Sequence, residues 1–60
     1  MDVSNQFMVG ALGDKVVITL PPTRPLSKEE ALTLAAWLVA IVTGDPEHVF
    51  QPILSAVLST

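Results

Sequence analysis

The stretch Leu26-Ser27-Lys28-Glu29-Glu30, followed by Ala31 to Thr43, decides how this chain is built. Ser27 with Glu30 three positions later is the pattern of a capping box, in which the serine hydroxyl accepts the Glu30 amide and the Glu30 carboxylate accepts the Ser27 amide. Leu26 and Ala31 stand where a hydrophobic staple would, and Glu29 and Glu30 suit the positive end of a helix dipole. The spacing predicts a helix over 27–43, with Gly44 as the left-handed residue just past its end. Between Ala31 and Thr43 there is no charge, and only Thr33 and Thr43 are polar. Ala31, Leu34, Ala35, Leu38, Ile41 and Val42 form one stripe at helical spacing. Thr33, Ala36, Trp37, Ala40 and Thr43 form the opposite side, where a surface helix would carry charge. A helix that is apolar nearly all round is buried on more than one side. Ala36 and Ala40, four apart and small, would let a second helix approach closely.

Working back from this helix, Pro21-Pro22-Thr23-Arg24-Pro25 reads as a stiff joint over 21–26, because its prolines favour an extended path and end any strand ladder. Before the joint, residues 6–20 read as a β-hairpin turning at Gly13-Asp14, with glycine taking the positive φ of a type II′ turn. That turn fixes the register and puts Phe7, Val9, Ala11, Val16, Ile18 and Leu20, all apolar, on one face. The helix stripe is expected to cover this face. The other face carries Met8, Gly10, Leu12, Lys15, Val17 and Thr19, a mixture that suggests a second contact surface. Residues 1–5 are polar enough to read as frayed. Beyond the long helix, Asp45-Pro46-Glu47 starts another over 45–58, with Asp45 as N-cap and proline at the first helical position. Pro52 is expected to kink or restart it. Val49, Phe50, Ile53, Leu54, Val57 and Leu58 give it an apolar stripe. The fold class is therefore α+β, a single small ββαα domain: a hairpin packed on a long helix, then a second, shorter or kinked helix.

A chain of 60 residues buries only about 60% of the surface it exposes when unfolded, and so needs a staple. With no cysteine, disulfides and thiolate zinc sites are excluded. Oligomerisation remains, and the 50% hydrophobic content favours a homodimer or larger assembly. Net charge is -3, and Lys15, Arg24 and Lys28 are the only cations, too few and too scattered for a nucleic-acid surface. The strand-then-helices order invites comparison with ribbon-helix-helix repressors, but those present polar or basic side chains from a strand to the major groove. Here the corresponding face offers Met8, Leu12 and Val17 around Lys15 and Thr19. The longest uncharged run, Ala31 to Gly44, is too short for a membrane span, which needs about 18 residues or more. The N-terminal residues lack the basic start of a signal peptide, so a cytoplasmic location is expected.

Chemistry is sparse. His48 is the only imidazole, and its neighbours Asp45 and Glu47 are explained by helix capping, so no metal and no cofactor is expected. Ser55 or Ser59 with His48 and Asp45 would list the members of a triad, but nothing places a nucleophile on an elbow or builds an oxyanion hole. No enzyme is expected. Thr23, Arg24 and Lys28 converge near a helix N-terminus and are the candidates for a small anionic, nucleotide-like ligand. Glu29 and Glu30 oppose that, and a surface ion pair of Arg24 or Lys28 with glutamate is the plainer reading. Trp37 is either core packing or an interface anchor. The interface candidates are Met8, Leu12, Val17, Ala36, Trp37 and Ala40.

The segment Val16 to Leu38, with Leu20-Pro21-Pro22, Leu26-Ser27-Lys28-Glu29-Glu30-Ala31 and Leu34-Ala35-Ala36-Trp37-Leu38, resembles short uncharacterised proteins encoded by phages and prophages. Those proteins combine a hairpin, a proline joint and a helix beginning Leu-Ser/Thr-x-Glu-Glu/Gln-Ala. The resemblance covers under half of the chain and brings no activity or site with it. It implies a context, a small accessory protein in a bacterial cytoplasm acting on a host factor. The expected function is non-catalytic binding that modulates or inhibits a host protein. The alternatives are an oligomeric sponge for the anionic ligand and a minor structural component of a virion or complex.

Overall fold

The computed structural model describes residues 2–60. Two antiparallel strands, β1 (Val9–Leu12) and β2 (Lys15–Ile18), are followed by helices α1 (Lys28–Val42) and α2 (Pro46–Leu58), the ββαα order of an α+β fold. The register pairs Val9 with Ile18, Gly10 with Val17, Ala11 with Val16 and Leu12 with Lys15, as the Gly13-Asp14 turn dictates. Gly13 has φ +63° and Asp14 does not have positive φ, the combination a type II′ turn requires. The regular ladder is shorter than the hairpin expected over 6–20. Below Val9 it is continued by two bonds, from the Thr19 amide to the Met8 carbonyl and from the Leu20 amide to the Phe7 carbonyl. Met8 takes φ +51°, so the chain twists off the sheet at this point.

Residues 2–5, read from sequence as frayed, are tied down. The Asn5 carboxamide accepts the Val9 amide and donates to the Val9 carbonyl, both at 2.9 Å. In a hairpin with a two-residue turn the pairs alternate, and Val9 points both backbone groups to the open edge of β1. Asn5 therefore stands in for a third strand at that position. The Trp37 indole donates to the Val3 carbonyl at 2.9 Å, which draws the N-terminal segment across α1. Phe7 and this segment meet Thr33, Leu34 and Trp37 around a small crevice.

Helix α1 has the capping box the sequence spells: the Ser27 hydroxyl accepts the Glu30 amide and the Glu30 carboxylate accepts the Ser27 amide, each at 3.0 Å. Its far end differs from expectation. Thr43 closes the last turn in an extended conformation, its amide donating to the Val39 carbonyl, and Gly44 has no positive φ. The Thr43 hydroxyl accepts the Asp45 amide, so the chain passes directly into the next N-cap and no left-handed residue is needed. In α2 the Asp45 side chain accepts the His48 amide, and the helix runs unbroken through Pro52. The proline removes only the bond to the carbonyl four residues back, that of His48 in the exposed first turn.

The core is very thin. Val9, 5% exposed, is the only buried hydrophobic among the described residues. Helix α1 lies over β1 more than over β2, and α2 touches α1 and neither strand. The apolar sheet face is therefore covered only in part, and Val16, Ile18 and Leu20 remain exposed. The side of α1 turned inward also differs from the sequence reading. Thr33, Leu34, Trp37, Leu38 and Ile41 are half-buried, whereas Ala31, Ala35 and Val42 are exposed. The Trp37 bond to Val3 and the crevice around Phe7 add Thr33 and Trp37 to Leu34, Leu38 and Ile41 on the inward side, while Ala36 and Ala40 stay exposed.

Replacing Asn5 by Ala leaves the Val9 amide and carbonyl without their partner and is expected to cost about 1–3 kcal/mol. Asn5→Asp keeps the acceptor, loses the donor and falls between. Urea unfolding followed by circular dichroism checks the order wild type, Asp, Ala.

Candidate functional site

The proline joint ends in a cluster built on Glu30. Arg24 reaches it in a two-pronged pair, Nη1 to Oε1 at 3.1 Å and Nη2 to Oε2 at 2.7 Å, while Nη1 also donates to the Pro25 carbonyl. The Gln6 side chain adds a longer bond of 3.5 Å to Oε2. One carboxylate thus links the joint, the cap of α1 and the entry to the hairpin. Hydrogen bonds from Arg24 and from the Ser27 amide, with the charge of Arg24, hold the Glu30 carboxyl well below the ordinary value, at about 2.

This arrangement occupies the cation that an anionic ligand would need. Of the three anion candidates, Thr23 and Lys28 are exposed, and Arg24 is turned onto Glu30. The adjoining hollow of about 190 Å³ is lined by Asp2, Glu29 and Glu30 with Ser4, Gln6, Ser27 and Thr33. Its three carboxylates repel anions.

His48, Ser55 and Ser59 are engaged in local contacts of α2. His48 pairs with Asp45 through Nδ1, a contact within the N-terminal turn of α2. Ser55 lies seven residues along the same helix, about 10 Å from His48 in axial rise and out of hydrogen-bond reach. The Ser59 hydroxyl donates to the Ser55 carbonyl. Among the described residues no group of three or more His, Cys, Asp or Glu is gathered around a point that would hold a metal ion. None of the described helices is long and apolar enough to cross a membrane.

What the fold does present is apolar surface, and two of its regions carry the interface candidates. The first is the outer face of the ribbon, where Met8 is 53%, Leu12 69% and Val17 36% exposed. All three were named from sequence, and β2 is exposed along its whole length. The second is the outward side of α1. Ala36 and Ala40 lie there as expected, in an open groove of about 390 Å³ that Val3, Glu29, Leu32, Thr33 and Trp37 also line. Trp37 forms the inner wall of the groove and is half-buried, so it is not the free anchor that a purely outward position would make it. Leu32, 72% exposed, was assigned to neither side of the helix from sequence, although its place one turn before Ala36 was the available signal. A further apolar groove of about 220 Å³ runs between the helices, lined by Leu38, Val39, Val42, Val49, Phe50 and Ile53 with Thr43.

Comparison with protein-family models, with curated proteins and with solved structures finds no match to this chain.

The Glu30 contribution to stability has a defined pH window. Its carboxyl titrates near 2 when folded and near 4.5 ordinarily, so the contribution is complete above about pH 4.5 and is lost as pH falls toward 2. Glu30→Gln retains a capping side chain without the charge. Urea midpoints at pH 6 and pH 3 are expected to fall less for the variant than for wild type, and equal falls would remove Glu30 from the account.

Proposed function

We propose that this chain is a non-catalytic accessory protein that self-associates and acts by binding another protein. One observation carries the reading: the chain exposes more surface than a compact monomer of its size, and large apolar side chains are part of it, with Leu12 69% and Leu32 72% exposed. Its accessible area is 4845 Å² at 6.4 kDa, where a compact monomer exposes about 3,800 Å². Its radius of gyration is 12.3 Å, against about 10.4 Å for a compact chain of this length. Exposed apolar side chains gathered on one face mark interaction sites.

The two regions divide the work. The helical side serves self-association. The ribbon's outer face, with Met8, Leu12 and Val17, serves the partner, and its open strand edges add backbone groups ready to pair with another chain. The resemblance to phage-type hairpin–helix proteins supplies the setting: a bacterial host cytoplasm and a host protein whose activity is modulated or inhibited. The chain's net charge of -3 favours a partner of net basic charge.

The test uses the tagged full chain in a bacterial host lysate, beside a Leu12→Asp, Val17→Asp double variant. Wild type is expected to retain a stoichiometric protein partner that the variant loses, with the variant's circular dichroism unchanged. Equal retention by both, or none by wild type, contradicts the assignment of the ribbon.

A further inference from the structure

We infer that residues 3–5 form an autoinhibitory latch, closed at both ends in this structure. While Asn5 holds Val9 and Val3 holds Trp37, the edge of β1 cannot take a strand from another chain, and opening either end frees both. This goes beyond the binding role just proposed, because it concerns which edge of the ribbon is available and when.

The closed end at Val9 imitates a strand. A strand added antiparallel to β1 would meet Val9 with the N–H and C=O of one residue. The Asn5 carboxamide presents the same two groups: Nδ2 donates to the Val9 carbonyl and Oδ1 accepts the Val9 amide, both at 2.9 Å. Both occupants claim one donor and one acceptor, so they exclude each other. An open edge is otherwise a template for pairing. The second strand has no such guard. Val16 and Ile18 turn their backbone groups to its open edge, and among the described residues no backbone hydrogen bond reaches them there.

The same short segment also reaches α1. The Val3 carbonyl, two residues before Asn5, accepts the Trp37 indole at 2.9 Å. Ser4 and Asn5 between these ends line the crevice with Leu34 and Trp37. Past Asn5 the chain reverses at Gln6 and Phe7, with the Met8 amide donating to the Asn5 carbonyl at 3.1 Å. Met8 then takes φ +51°, a left-handed conformation that costs an L side chain energy. This reversal lays Asn5 beside Val9, so closing the latch carries backbone strain. Little buried apolar surface offsets it: Val3 and Ser4 are exposed and Asn5 is half-buried. A segment held by a few accessible polar bonds opens locally, well below the cost of global unfolding.

Hydrogen exchange on the full chain tests the coupling from both ends. Trp37→Phe removes the indole donor and is expected to speed exchange of the distant Val9 amide about tenfold. Asn5→Ala is expected to speed exchange of the Trp37 indole by about the same factor. The Val17 amide, which bonds to Gly10 inside the ladder, is the reference and is expected to stay within about twofold of wild type. A distant reporter that does not move, or a Val17 amide that moves equally, overturns the latch. Sedimentation tests the masking. Ala11 also turns its amide to the open edge of β1, so Ala11→Pro blocks strand addition there without breaking a ladder bond. Asn5→Ala is expected to associate at a concentration about tenfold below that of wild type, and adding Ala11→Pro to restore the wild-type value. No added association in Asn5→Ala, or association that Ala11→Pro leaves unchanged, shows that Asn5 masks no edge and overturns the inference.

Discussion

A chain of this size has too little interior for its apolar side chains, and every feature of the structure follows from how that shortage is handled. Val9 is buried; Leu34, Trp37, Leu38 and Ile41 are half covered; Leu12, Leu32, Ile53 and Leu58 meet water. Disulfides are unavailable and no metal cluster is gathered among the described residues. The hydrophobic term that stabilises the fold is therefore incomplete within one copy, and the proposed contact with another chain would complete it.

Within one copy, polar contacts supply order that packing does not. Asn5 satisfies the open edge of β1, the Trp37 indole fixes the N-terminal segment, and Glu30 joins Arg24, Ser27 and Gln6 around the start of α1. These bonds hold the hairpin at one end of the helix and leave the other side of α1 and the outer face of the ribbon free. The division between a packed side and two exposed apolar faces is thus set in part by a few hydrogen bonds near the N-terminus.

The sequence made some of this legible and concealed the rest for definite reasons. The hairpin register could be read because Gly13-Asp14 sets the turn and a one-residue slip would mix the two faces. The caps at Ser27 and Asp45 could be read because their partners lie at fixed offsets. The inward side of α1 could be read only in part, through Leu34, Leu38 and Ile41, since a helix without charge from Ala31 to Thr43 has apolar residues at every angle and its periodicity carries little phase. Trp37 was for that reason set on the outer side and Leu32 on neither. Asn5 left no trace in the pattern, because a side-chain amide that mimics a strand is defined by the backbone it meets. Gly44 was read as a left-handed stop because glycine after a helix so often is one. Here Thr43 and Asp45 make the connection and the glycine's freedom goes unused.

The mass of the wild-type chain in solution, measured by light scattering across a dilution series, tests the central claim most directly. A dimer that persists to low concentration and dissociates to 6.4 kDa on dilution is the expected result. A chain that stays monomeric and folded at every concentration would show that its apolar surface needs no second copy, and would contradict the account.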